Sequence, residues 1–165
     1  MQKNDFTGIW YLNGSCNSFG QFEILDDIEE YRRIYEKWLR GEDYENLGNL
    51  TKAEGLLLEI NADGTFTESK TGDPQIEWFD EEGISESRIT PFNGIYKIFD
   101  ERAFLTLETP STLSDTDDSE RIRYDDGDTK VCDSLRVIDE DLIRTVSVIT
   151  DELYTTRVLM RYLKS

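Results

Sequence analysis

Apolar residues recur with two different periods along this chain, and the change from one to the other outlines its elements. Thr7-Gly8-Ile9-Trp10-Tyr11-Leu12 is a short aromatic and β-branched run closed by the turn formers Asn13-Gly14-Ser15, and it predicts a first strand. From Phe22 to Arg40 the spacing changes. Ile24, Leu25, Ile28, Tyr31, Ile34, Tyr35, Trp38 and Leu39 recur at intervals of three and four, which places them on one face of a helix over 22–40. Glu23, Asp26 and Asp27 crowd its start, Lys37 and Arg40 its end, and Gly41 follows where a left-handed cap would sit.

After an acidic connection over 42–54, the short period returns. Leu56–Ile60 and Thr65–Ser69 flank Asn61-Ala62-Asp63-Gly64, a hairpin signature, because Asp-Gly accepts the positive φ angles of a tight turn. Further strands are expected at 75–80, 84–89, 94–99 and 103–108, then, beyond the polar loop 110–119, at 121–124, 129–138, 142–150 and 153–163. Nine or ten short strands with one helix after the first describe an antiparallel up-and-down meander. So many consecutive strands must close or stack, since open edges invite pairing between molecules, and closure into a barrel of about 8–10 strands fits best. At 165 residues, with neither an internal repeat nor an internal boundary, one barrel domain over 1–165 is expected.

Charge narrows the partners. Thirty-six acidic residues against 18 basic ones leave a formal net charge of −18, spread from Glu23 to Glu152. Contact with nucleic acid or anionic lipid is disfavoured everywhere on such a surface, whereas a basic protein partner would be attracted to it. Cys16 and Cys132 are the two cysteines, and the sequence shows neither a leader nor an apolar run of 18 residues. Buried thiols, a cytoplasmic location and no membrane insertion are the corresponding expectations.

Gly8-Ile9-Trp10-Tyr11 near the start, the meander, and Thr156-Arg157-Val158-Leu159-Met160-Arg161 at the end together resemble the calycin superfamily of lipocalins and fatty-acid-binding proteins. The resemblance implies that Trp10 closes the barrel floor beneath a cation of the last strand, Arg157 or Arg161, packed on its π face. A helix inserted after the first strand is similar to the lid of the fatty-acid-binding branch. The resemblance therefore implies that Tyr31, Tyr35 and Trp38 roof a cavity, with Arg157 and an arginine one hairpin upstream, Arg136, facing into it. That branch commonly holds a carboxylate with Arg-x-Tyr on the last strand, and Leu159 stands where the tyrosine would fall after Arg157. The alternative for each arginine is pairing with a nearby acid, because an unpaired buried charge is very costly. Alternation along the last strand leaves open which face lines the interior.

With histidine absent, imidazole metal ligation and Ser-His-Asp or Cys-His catalysis are excluded, and no metal or cofactor is called for. Asp115, Asp117, Asp118 and Glu120 imitate a calcium loop, but Glu120 occupies the sixth position, where glycine is needed, and Asp126 the twelfth, so a solvated turn is expected. Glu59, Glu68, Glu77, Tyr96 and Glu108 fall on expected strands and could supply catalytic or binding groups, Tyr96 being counted with the ligand-binding set. Three functions follow. The first is sequestration of a small apolar or amphipathic molecule inside the barrel. The second is a barrel enzyme working without metal or histidine, such as a cyclase, an isomerase or a lyase that attaches a pigment through Cys16 or Cys132. The third is an acidic immunity or inhibitor protein that covers a basic partner.

Overall fold

The computed structural model describes residues 5–41, 50–72, 91–107, 121–125 and 127–165, together with the backbone of 77–80 and 83–86. Its strands are β1 (Gly8–Gln21), β2 (Thr51–Lys52), β3 (Leu56–Ile60), β4 (Thr65–Lys70), β5 (Glu77–Asp80), β6 (Gly83–Glu86), β7 (Asn93–Phe99), β8 (Arg102–Thr106), β9 (Ile122–Asp125), β10 (Thr129–Ile138), β11 (Asp141–Thr150) and β12 (Tyr154–Lys164). The helix α1 spans Ile28–Leu39.

Pairing runs β1, β3, β4, β7, β8, β10, β11, β12 and back to β1, so eight antiparallel strands close a barrel. Strand β2 lies along β1, strand β9 along β10, and β5 with β6 forms a separate hairpin. The ladders are unequal. Strands β1 and β12 pair from Trp10 with Lys164 to Gln21 with Tyr154, whereas β8 and β10 meet only at Phe104 with Ser134 and Ala103 with Leu135. Strand β9 takes the same edge of β10 higher up, at Lys130 to Cys132. Gly94 is needed on β7, because a Cβ there would fall 2.0 Å from the Thr106 carbonyl oxygen.

Two expectations are corrected. Asn13-Gly14-Ser15 does not end the first strand, which continues to Gln21 through a bulge between Leu12 and Gly14. The pair serves pairing instead: the Asn13 carbonyl accepts from the Ala53 amide at 3.1 Å, its side-chain oxygen accepts twice from Arg161, and Gly14 lies opposite both Arg161 and Lys52. The helix begins at Ile28, not at residue 22, because Asp27 caps it by accepting from the Glu29 and Glu30 amides. Its other end matches expectation, with Gly41 at φ +75° just beyond it.

The helix is also not a lid. Tyr35 and Leu39 pack with Phe104, Ile122, Cys132 and Ile149, joined by Phe22, Trp38 and Phe99, in a cluster on the outer wall of β8, β10 and β11. Tyr31 ties the start of the helix to the β11–β12 turn by donating to the Glu152 carbonyl, and Arg102 donates to the Arg40 and Gly41 carbonyls at its end. Part of the predicted apolar stripe therefore faces water, with Ile24 and Ile28 each 75% exposed.

The barrel interior is a separate core of Trp10, Leu12, Leu58, Ile60, Phe66, Leu105, Leu135, Leu142, Val146, Val158, Met160 and Tyr162, among others. Trp10 sits at its lower end, its indole N–H donating to the Phe6 carbonyl at 2.8 Å. The cation over its ring is Lys164, 5.4 Å from the centroid, in place of the expected arginine. Arg161 instead holds Asn13 from the outer face.

Candidate functional site

Cross-strand register divides the interior into layers. Taking the end where β1 finishes as the top, Leu12, Tyr162 and Leu142 form a low row, and Ser15, Met160, Arg144 and Leu135 the next. Above them come Asn17, Val158, Val146 and Asp133, then Phe19, Thr156, Val148 and Val131 with Tyr124, and finally Gln21, Tyr154, Thr150 and Thr129. Exposure rises along this series. Met160, Tyr162, Leu142 and Val146 have no accessible surface, so not even a water-sized space adjoins them, whereas Thr156 and Val148 are half-buried and Phe19 is 63% exposed. Among the described residues, the inward rows are therefore closely packed up to the Asp133 row and more exposed above it.

Charged side chains lie where the packing gives way. Arg144, fully buried on β11, donates from Nε and Nη2 to the two carboxylate oxygens of Asp133 at 2.9 and 2.7 Å, a bidentate fork. Its Nη1 meets the Glu68 carboxylate and donates to the Tyr162 hydroxyl at 3.1 Å. Arg123 donates to Asp133 at 2.9 Å, and its side chain alone among the four ions keeps appreciable exposure, 19%. Phe92 lies against both guanidinium groups, 4.7 Å from Arg123 and 5.9 Å from Arg144, and packs edge-on to Phe66. Two cations and two carboxylates cancel, which is how a barrel interior tolerates four charges. Burial opposes the charged guanidinium of Arg144, but Asp133 and then Glu68 more than restore it. Burial pushes the Tyr162 hydroxyl far above the usual phenol range, with Arg144 opposing the shift and Glu68 reinforcing it.

The residues singled out from the sequence are dispersed by this fold. Trp10 is the floor of the interior, and Tyr96, half-buried against the inner core, donates to the Asn61 carbonyl at the lower end. Tyr31, Tyr35 and Trp38 sit on the outer wall with the helix. Arg157 is on that wall too, donating to Ser147 and to the Trp38 carbonyl and stacking 4.2 Å over the Trp38 ring. Arg136 lies beside the β7–β8 hairpin on the outside. Of the acids named, Glu68 belongs to the buried cluster and Glu59 points to solvent, the side chain of Glu77 is not described, and Glu108 lies outside the described residues. The calcium-like segment from Asp115 to Glu120, with Asp126, is outside them as well. Both cysteines are unbridged: Cys132 is beneath the helix, and burial raises the Cys16 thiol, which opposes thiolate chemistry.

Arg144, Asp133, Arg123, Tyr162 and Phe92 are the members that sequence reasoning missed. A signal existed for two of them. Asp133 stands between Val131 and Leu135, and Arg144 between Leu142 and Val146, each a charge on the apolar parity of its strand.

No family model matches the chain, and no curated protein sequence does. Among solved structures, it is similar to zebrafish ileal bile acid-binding protein complexed with cholic acid, at 14% identity over 97% of this chain and 98% of that one, with a TM-score of 0.37.

Proposed function

We propose that this protein binds one small amphipathic molecule in the upper half of its barrel. The observation that carries the proposal is the gradient of exposure along the inward rows, which ends on a buried ionic cluster. On this reading the upper inward rows, with Phe92, form a cup lined by apolar and aromatic groups: Val148, Val131, Phe92 and, at the rim, Phe19 and Tyr154. Such a cavity floored by a few convergent polar groups is the usual form of a small-molecule site. The polarity of the floor selects the ligand's head. Arg144 is already held by Asp133 and Glu68, so a free carboxylate entering from above would have to displace one of the protein's own acids. A neutral, hydrogen-bonding head meets no such cost, and Arg123 at the exposed end is the group it would contact. The head group this reading favours is therefore a neutral one.

Titration with the neutral probe N-phenyl-1-naphthylamine tests this. One molecule should bind per chain, and Val148→Trp, which fills the cup from the half-buried row, should weaken binding about tenfold or more. Arg157→Leu, on the outer wall, should leave it unchanged. Absence of probe binding, or binding unaffected by Val148→Trp in a folded variant, would refute the proposal.

A further inference from the structure

One edge of β1 is covered by two strands in line, and the cover is broken between them. Strand β2 pairs at Gly14 and Ser15, and β3 takes over from Tyr11 to Gly8. In the gap, Ala53, Glu54, Gly55 and Leu56 stand against only Leu12 and Asn13, so two residues have no place in the ladder and the chain must make a detour. The detour is pinned on both sides. The Ala53 amide donates to the Asn13 carbonyl at 3.1 Å, and the Gly55 carbonyl accepts from the Thr71 amide at 2.8 Å. Gly55 supplies the φ of +107° that the path requires. A cleft of about 400 Å3 lies at this detour, a volume in the range of small-molecule sites. Leu12 and Leu56, both buried, give it apolar surface, Tyr11, 44% exposed, an aromatic ring, Thr71 a hydroxyl and the exposed Glu54 a carboxylate. Glu54 is the one charged side chain among the described residues that line it. Lys52 and Lys70, the bases nearest in sequence, are not part of the lining. A carboxylate and a hydroxyl accept N–H bonds, a π face attracts a cation, and apolar surface takes up hydrocarbon, so together they complement an organic ammonium. A hard metal ion would find a single carboxylate where it takes several oxygens. The net charge of −18 further concentrates cations around the molecule.

We propose that this cleft binds a small primary ammonium compound with an apolar body, its ammonium held by Glu54 and Thr71 against the Tyr11 ring. None of the residues lining the cleft belongs to the upper inward rows of the barrel, so the two sites stand or fall separately.

Two-dimensional amide NMR of the full chain, titrated with 2-phenylethylammonium chloride at about 150 mM salt to screen diffuse attraction, reads the site residue by residue. The amides of Tyr11, Gly55, Thr71 and Gly72 should shift together and saturate, with a dissociation constant of about 1 mM or tighter. Glu54→Gln, a change at an exposed side chain, should weaken binding about fivefold, and Tyr11→Leu about threefold, the scale of an exposed ion pair and an exposed cation–π contact. Tyr11→Phe keeps the ring and should bind as the parent does. The neutral 2-phenylethanol, of nearly the same shape, should bind about fivefold more weakly or not at all. Val148→Trp, which fills the cup, should leave these shifts in place. Shifts scattered over the acidic surface without saturation, affinity indifferent to Glu54→Gln, or equal affinity for the alcohol would each overturn the proposal.

Discussion

Tyr162 shows what a single buried polar group does to this protein. Its hydroxyl accepts from Arg144 and lies 3.6 Å from the Met160 sulfur, with no accessible surface, and burial raises its ionisation well above that of an exposed phenol. Between about pH 10 and that raised value, the unfolded chain sheds a proton that the native state keeps. Stability is unaffected below this window and falls as pH rises through it, by about 1.4 kcal/mol per pH unit for one such group. Tyr31, Tyr35 and Tyr96 are raised in the same direction, chiefly by burial, and add to the slope. Urea denaturation at several pH values should show this alkaline loss, and Tyr162→Phe should make it shallower. The same residue explains why the polar interior was hard to read in the sequence. Parity puts Tyr162 and Met160 inside and Arg157 with Leu159 outside. The inward arginine lies on the neighbouring strand, where Arg144 pairs directly with Met160. Alternation alone gave two equivalent faces for the last strand, and only cross-strand pairing distinguishes them.

Elements were far more legible than the site, because their signals are local. Runs of β-branched and aromatic residues between Asp- and Gly-rich turns located the strands to within a few positions, from Leu56–Ile60 to Tyr154–Lys164. Asn13-Gly14 failed as a turn because its role is set by distant partners, Arg161 and Ala53. The helix was recognised by its period, but period cannot say whether an apolar face roofs a mouth or leans on a wall. Among the described turns, three carry strain, one of them the β11–β12 turn with Asp151 and Glu152 at φ +54° and +57°. Asp100-Glu101 and Asp139-Glu140 are two-residue loops, closed by Phe99 with Arg102 and Ile138 with Asp141, in which all four residues have φ between +49° and +73°. That conformation matches strand twist but is unfavourable for residues with a Cβ. Glu140→Gly should therefore stabilise the protein by about 1 kcal/mol, read as a higher denaturant midpoint at unchanged slope.

At the scale of the whole molecule, the net charge of −18 acts against compaction, since like charges spread over one surface repel. Raising sodium chloride from about 10 to about 150 mM shortens the screening length from about 30 to about 8 Å and should raise the melting temperature. A melting temperature independent of salt would mean that the acids are already neutralised locally. The barrel within this charged shell is itself uneven. Strands β10, β11, β12 and β1 are joined by ladders nine to eleven positions long, so they form one stiff plate. The other half of the ring meets that plate at four residue pairs between β3 and β1 and at only two between β8 and β10, with β9 occupying the rest of that edge. Mechanically this is a clasp. Local opening costs least where the fewest bonds must break together, so the wall can part there while the plate keeps its shape. Under the proposed function, a molecule held in the upper barrel has a second way out there, and its residence time depends on Ala103, Phe104, Ser134 and Leu135 as well as on the groups it touches.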